Sequence, residues 1–289
     1  MIYIQLLLSG ILFGGIYALI SVGLTLILGV MDIINLAHGE FLMISLYGVY
    51  FLSNLFQVNP YLSMIILVPL LFLVGIITER FIIRKTIGKP TFIHIFVTLG
   101  LSIIIQNLAL TIFSANYRTI DFPFANKSIL LGDISISVSR LIIFVITLIV
   151  AYLLYLFLNK LWFGFAIRAT SQDRDAAQLM GIDINRVFMV TFGIGTACLG
   201  IAGALLMPIY YVYPQVGFDF VLVGSIAIVM GGLGSIKGAM IASIMMGVIE
   251  IFSGYYLNPS MKQGIYFMLF ILVLIIKPNG LFGTERKVE

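Results

Sequence analysis

This 289-residue chain offers little for chemistry, with two histidines, one cysteine and 12 carboxylate side chains. The densest polar group is Asn35, His38 and Glu40, an amide, an imidazole and a carboxylate within six positions. His38 and Glu40 are close enough in sequence to share a hydrogen bond or a proton. The same residues could instead satisfy backbone groups freed where a helix is interrupted, or touch a substrate. Glu250 stands alone in the last long apolar stretch, where an isolated charge costs roughly 2.5–3.5 kcal/mol on insertion scales. It must therefore face the bundle, a cavity or an interface, which makes it a pathway candidate. A basic group on a partner chain, or a protonated carboxyl, would account for it equally well. Gly231, Gly232 and Gly234 beside Ser235, with Gly238 following, allow a tight, broken helix whose free amides can face a cavity.

Several chemistries are absent from the sequence. No Cys, His or carboxylate cluster has metal-ligand spacing, so neither a metal nor another cofactor is expected. No Gly-x-x-x-x-Gly-Lys-Ser/Thr loop is present to wrap a phosphate, and neither Gly-x-Ser-x-Gly nor His-Glu-x-x-His occurs. The chain cannot hydrolyse ATP unaided and shows no catalytic constellation. It reads as a non-enzyme.

The elements that must position these residues are membrane spans. Hydrophobic residues make up 61% of the chain and charged residues 10%, against roughly 45–50% and 25% in soluble domains, which excludes an ordinary soluble protein. The net charge of +4 fits basic residues gathered in loops on one side of a membrane better than it fits nucleic-acid binding. A span needs about 20 apolar residues to cross a core of about 30 Å. Charge-free intervals run over Met1–Met31, Phe41–Thr78, Pro90–Tyr117, Leu141–Asn159, Val187–Phe218 and Phe220–Ile236, followed by Gly238–Ile276 with only Glu250 and Lys262 inside it. Asn54, Gln57, Asn59 and Pro60 split the second interval into two spans. The expected fold is an all-α polytopic transmembrane bundle of about eight or nine segments, with broken half-helices near Gly231–Gly238. It forms a single domain over residues 1–289. The first apolar run lacks a basic leading stretch and a small-residue cleavage site, so it reads as a span rather than a leader.

Orientation follows from the loops. Arg80, Arg84, Lys85 and Lys89 crowd one connection, whereas the turn at Gln57–Pro60 carries no charge, so the basic connection is placed in the cytoplasm. Counting outward from it puts the amino terminus and Tyr117–Ser139 outside. Lys160–Arg186 and the tail from Lys277 then fall inside. Trp162, beside Lys160, and the group Tyr210, Tyr211 and Tyr213 read as interface anchors at opposite faces. Small residues four apart, such as Gly10 and Gly14 or Ser243 and Gly247, suit close helix packing.

The largest inner segment, residues 160–186, holds a short helix expected over Gln172–Met180. Thr170 or Ser171 would cap it, Asp173 would lie in its first turn, and Gly181 would end it in the left-handed conformation. Ala176, Ala177, Leu179 and Met180 form its apolar patch. So short a helix is unstable alone and must dock, either on its own bundle or on a partner.

Asp175-Ala176-Ala177 with Gly181 resembles the Glu-Ala-Ala-x-x-x-Gly loop of bacterial ABC importer permeases, with Asp in place of Glu. The stretch from Gly23 through Asn35-Leu-Ala-His38-Gly39-Glu40 resembles the signature of the LivH type of branched-chain amino-acid permease. The Gly231-Gly232-Leu-Gly234-Ser235 region resembles that family's carboxy-terminal signature. The resemblance implies a permease subunit of the bacterial cytoplasmic membrane for branched-chain amino acids or related small amino acids or amides, working with a second related permease, two ATP-binding subunits and an extracytoplasmic binding protein. It further implies that Asp175, Ala176, Ala177, Leu179, Met180 and Gly181 form the coupling helix docked on an ATPase. Asn35, His38, Glu40, Gly231, Gly232, Gly234, Ser235 and Glu250 remain gating or pathway candidates. The rival reading is an ion-coupled secondary transporter acting alone, with His38, Glu40 and Glu250 as coupling groups.

Overall fold

The computed structural model describes residues 2–125, 127–132, 134–257 and 261–282. Among these the chain is helical apart from one short hairpin. In order come α1 (Ile2–Met31), α2 (His38–Phe56), α3 (Met64–Phe81), a 3-10 turn (Ile83–Thr86), α4 (Thr91–Phe113), strands β1 (Ser128–Leu131) and β2 (Ile134–Ser137), and α5 (Val138–Lys160). The second half holds α6 (Trp162–Gln172), α7 (Arg174–Leu179), α8 (Ile184–Leu206), α9 (Val216–Gly231), α10 (Ile236–Tyr256) and α11 (Lys262–Ile276). Seven helices are long and apolar enough to cross a membrane, and two shorter apolar ones lie near the carboxy end, at Val216–Gly231 and Gly264–Ile276. With the two shorter helices counted, these fit the eight or nine segments expected from the charge-free intervals. The antiparallel hairpin, which pairs Ser128 with Ser137, is not among the expected elements, although Gly132-Asp133 between the runs 128–131 and 134–137 is a two-residue hairpin signal.

α1 is the axis of the bundle. It is buried from Leu12 to Ile27 on every side, so its apolar residues show no preferred face. Gly14 and Gly247 let α10 run against it: a Cβ on Gly247 would meet the Cα of Gly14 at 2.4 Å, and one on Gly14 would meet the Cα of Ile244 at 2.7 Å. With backbones this close, dispersion and side-chain hydrogen bonds replace the hydrophobic drive that lipid does not provide. Ser243 donates to Ser21 at 2.9 Å, and Ser21 donates to the Gly224 carbonyl at 3.2 Å, joining α10, α1 and α9. Thr147 donates to the Gly15 carbonyl at 3.1 Å and Thr196 to the Leu71 carbonyl at 2.9 Å, which tie α5 to α1 and α8 to α3. Around this centre α3, α4 and α5 turn outward exposed apolar side chains such as Ile65, Leu73, Phe96, Ile103 and Leu153, the surface a hydrocarbon environment covers.

The connections collect at two ends. At one, here the basic end, Arg84 reaches the Asn185 carbonyl at 3.2 Å and Arg174 pairs with Asp32 at 2.8 Å. The tail beyond α11 returns there, with Leu281 N–H donating to the Met230 carbonyl at 2.7 Å and Phe282 N–H to the Gly231 carbonyl at 3.1 Å. These two bonds satisfy carbonyls that the end of α9 would leave open. At the other, the hairpin end, Tyr61 donates to Ser139 at 3.0 Å and the backbones of Arg118 and Val212 exchange bonds of 3.0 and 2.9 Å. The connections that the loop charges assign to a common face thus share a common end.

The 160–186 segment differs from expectation in its breaks. α6 continues through Gln172, and the chain then extends at Asp173 (φ −153°), whose side chain accepts from Ala176 N–H at 2.9 Å to cap α7. Thr170 and Ser171 do not cap. Their hydroxyls bond back to the carbonyls of Ala166 and Arg168 inside α6. An extended backbone is what a cap position needs, and Asp173 alone adopts it. Gly181 takes the left-handed conformation as expected, at φ +83°.

Candidate functional site

The interruption between α1 and α2 carries the first polar group. α1 ends at the basic end with Asp32 in the left-handed region (φ +54°), a conformation that Asp tolerates better than most residues. Residues 33–37 then do not turn across the surface. They climb back into the bundle beside α4. Thr98 donates to the Ile34 carbonyl at 3.2 Å, and Glu40 receives Ser102 at 2.9 Å and Gln106 at 2.7 Å. Ser102 and Gln106 lie about three and four turns into α4 at 3.6 residues per turn, so α2 begins deep in the bundle. Counting spans from the basic connection puts the link between α1 and α2 near the inner face, and that expectation is corrected: Asn35, His38 and Glu40 lie within the bundle. His38, the first residue of α2, lies against the backbone of Ile20, about three turns back along α1 from its end at Met31.

Each member then has a distinct place. Asn35 is buried and accepts Ala37 N–H through Oδ1 at 3.1 Å, satisfying one of the amides that the start of α2 leaves open. His38 is fully buried and lies against the α1 backbone at Ile20, in a geometry that makes no regular hydrogen bond to either ring nitrogen. It does not bond Glu40, whose partners are on α4. At the same level Gly39 crosses Gly217 at the start of α9: a Cβ on Gly39 would lie 2.1 Å from the Gly217 carbonyl oxygen. Two helix starts thus meet inside the bundle with nothing between their backbones.

The glycine-rich region is a turn at the basic end. Gly232 and Gly234 have φ of +103° and +81°, and Ser235 caps α10 by accepting Gly238 N–H at 3.1 Å. The turn joins a short helix, α9, to a full-length one, α10, at the end of the bundle, so the expected pair of half-helices meeting at the glycines is corrected. Gly234 and Ser235 line a cavity of about 550 Å³ together with Thr25, Asn159, Arg168 and Lys237.

Glu250 sits toward the hairpin end of α10 and accepts the hydroxyl of Tyr17 at 3.1 Å and that of Tyr266. It lines a cavity of about 290 Å³ that also contains Arg140 and Tyr210. Tyr211 and Tyr213 pack against Tyr117 at the hairpin end, one edge-on and the other tilted, while Tyr210 lines that cavity. Arg140 escapes notice in sequence because it falls between a loop and a charge-free interval.

The third region is α7. Ala177 is 4% exposed and packs inward, while Leu179 and Met180 are 88% and 84% exposed. Asp175 and Ala176 also face outward. Arg174 fastens α7 to the mouth of the re-entrant segment through Asp32 and lies over the Phe188 ring at 5.4 Å. Among the described residues no group of three or more His, Cys, Asp or Glu is placed to hold a metal ion.

A helical bundle of membrane-spanning length, with a re-entrant polar segment, cavities toward either end and a short helix that turns Leu179 outward at one of them, is the build of a polytopic membrane protein. The chain belongs to the family described as the branched-chain amino acid transport system permease component, whose model matches residues 6–274. It is 32% identical to the high-affinity branched-chain amino acid transport system permease protein BraD of Pseudomonas aeruginosa, over 98% of this chain and 97% of the relative. It is 33% identical to LivH of Salmonella typhimurium, over 98% and 96%. A more distant relative is the probable branched-chain amino acid transport permease protein LivM of Methanocaldococcus jannaschii, 24% identical over 92% of this chain. No solved structure matches the chain significantly.

Proposed function

We propose that this chain is one of two permease subunits of an ATP-driven ABC importer for branched-chain amino acids. The observation that carries the reading is α7. A short helix, anchored on its inner side by Ala177 and Arg174, presents Leu179 and Met180 outward where its own bundle cannot cover them. Apolar residues this exposed at the polar end of a membrane bundle suit a protein partner. With no phosphate-binding loop in the chain, ATP is bound by two separate ATPase subunits, and the chain itself is not an enzyme. The relatedness to proteins named LivH and LivM supports pairing with a second, similar permease. An extracytoplasmic binding protein delivers the amino acid. The chain lies in the bacterial cytoplasmic membrane with its amino terminus outside and its carboxy terminus, like α7, in the cytoplasm, as the basic loops direct.

Coupling follows the contacts. A shift of α7 on ATP-driven closure pulls Arg174, hence Asp32, the left-handed hinge at the foot of the re-entrant segment, and through it Asn35, His38 and Glu40. The glycine turn with Gly231, Gly232, Gly234 and Ser235 bounds the inner cavity, and Glu250 the outer one. The test is co-purification and uptake. The chain co-expressed with its partners retains the ATPases and takes up leucine, isoleucine or valine in proteoliposomes only with ATP and binding protein. Gly181→Pro, which cannot adopt φ +83°, abolishes both. Ion-driven uptake by the purified chain alone would overturn the proposal in favour of a secondary transporter.

A further inference from the structure

The hairpin-end cavity that contains Glu250 has a composition matched to one class of solute. Arg140, from the first turn of α5, and Glu250, from α10, line the same space of about 290 Å³, which is walled otherwise by Phe13, Ile209, Tyr210 and Ile251. A larger vestibule of about 520 Å³, bounded by the hairpin and by residues 207–211, shares Arg140, Ile209 and Tyr210 with it. Arg140 therefore stands where the vestibule meets the recess. Among the described residues no carboxylate lies within ion-pair distance of Arg140, and its guanidinium rests 5.9 Å from the Phe13 ring centre. Glu250 is held in position by Tyr17 and Tyr266. Glu250 lies inside α10, where an isolated ionisable side chain is costly and marks a solute pathway, and Arg140 lies in the first turn of α5 at the hairpin end. Here one of each sign faces a single small recess with aliphatic and aromatic walls.

We infer that Arg140 and Glu250 form a recognition site for the zwitterionic head of an aliphatic amino acid, with the α-carboxylate on Arg140, the α-ammonium on Glu250 and the branched side chain against Phe13, Ile209 and Ile251. The inference rests on the importer reading above and adds to it a selectivity filter within the permease. Arg suits the carboxylate because its planar donors can grip two oxygens at once. An amide or urea would satisfy neither charge. Free amino acids therefore pass the permease, and uncharged analogues are rejected even when delivered.

The test uses the full assembly in proteoliposomes together with the Ile209→Cys variant of this chain, whose one native cysteine, Cys198, is buried. Leucine slows thiol labelling at position 209, while leucinamide, which lacks the carboxylate, and 4-methylpentanoate, which lacks the ammonium, do not. Separately, Arg140→Gln and Glu250→Gln each lower leucine uptake about tenfold with ATP hydrolysis retained, and Arg140→Lys restores part of it. Equal protection by all three solutes, or by none, overturns the inference, as does undiminished uptake by both Gln variants. In those cases wild-type leucine uptake leaves the importer reading standing. A wild-type assembly that transports no branched-chain amino acid overturns both.

Discussion

α2 and α7 start differently and end in opposite circumstances: Asn35 turns the chain just before α2, whose cap position has no capping side chain, whereas Asp173 caps α7 directly. Each start has a short polar side chain that accepts a backbone N–H just ahead of it, Asn35 for α2 and Asp173 for α7. The start of α2 lies inside the bundle, where Gly39 and Gly217 touch backbone to backbone. The start of α7 lies at the surface, with Ala177 alone among its helical residues buried. A short polar side chain therefore precedes a buried joint in one place and a presented handle in the other. What separates them is the surrounding packing, and the Arg174–Asp32 pair is the strut between the two.

The contrast can be broken hardest at Gly39. Gly39→Val forces a side chain into the Gly217 carbonyl, and overpacking of this kind costs about 3 kcal/mol or more where backbone is the obstacle. Failure of the folded chain to accumulate in membranes, read by fluorescence-detected size exclusion, is the expected outcome. A normal elution profile would show that the joint can open. Next in size is Arg174→Ala, which removes the strut. The pair is partly exposed, so stability falls by only about 0.5 kcal/mol, but uptake per ATP hydrolysed drops about tenfold if α7 drives the re-entrant segment through Asp32. Unchanged stoichiometry of uptake to hydrolysis would mean the drive runs elsewhere. Leu179→Asp should leave thermal stability within about 0.5 kcal/mol, since the side chain touches little of its own bundle, while the ATPase subunits no longer co-purify. Smallest is Asp173→Ala. Loss of the cap costs about 1 kcal/mol locally, seen as faster amide exchange in α7, with uptake reduced but not lost.

Much of this was readable from residue order. The apolar segments follow from where charges are missing, because lipid tolerates so few of them, and Gly181 follows from the helix it must terminate. The depth of residues 32–37 was not readable. Ile33, Ile34, Leu36 and Ala37 are as apolar as a span, and nothing in their order says that the chain turns back into the bundle instead of crossing its surface. Only the contacts with Thr98, Ser102 and Gln106 reveal it. Asp173 displaced Thr170 and Ser171 as the cap because α6 propagates further than its polar residues suggest, each hydroxyl bonding within the helix. Arg140 and Glu250 are 110 positions apart, and their shared recess comes from the way α10 lies along α1, a pairing written in glycines and serines rather than in the charged residues themselves.

The return of residues 281 and 282 onto the last carbonyls of α9 has a practical corollary for anyone handling this protein. Those two amides act as a clasp that closes the glycine turn from below, so shortening the chain ahead of Leu281 would unfasten the inner cavity wall without touching any residue that lines it. Purification handles belong after Phe282, and a deletion series stepping back through 282 and 281 would show the turn loosening one bond at a time.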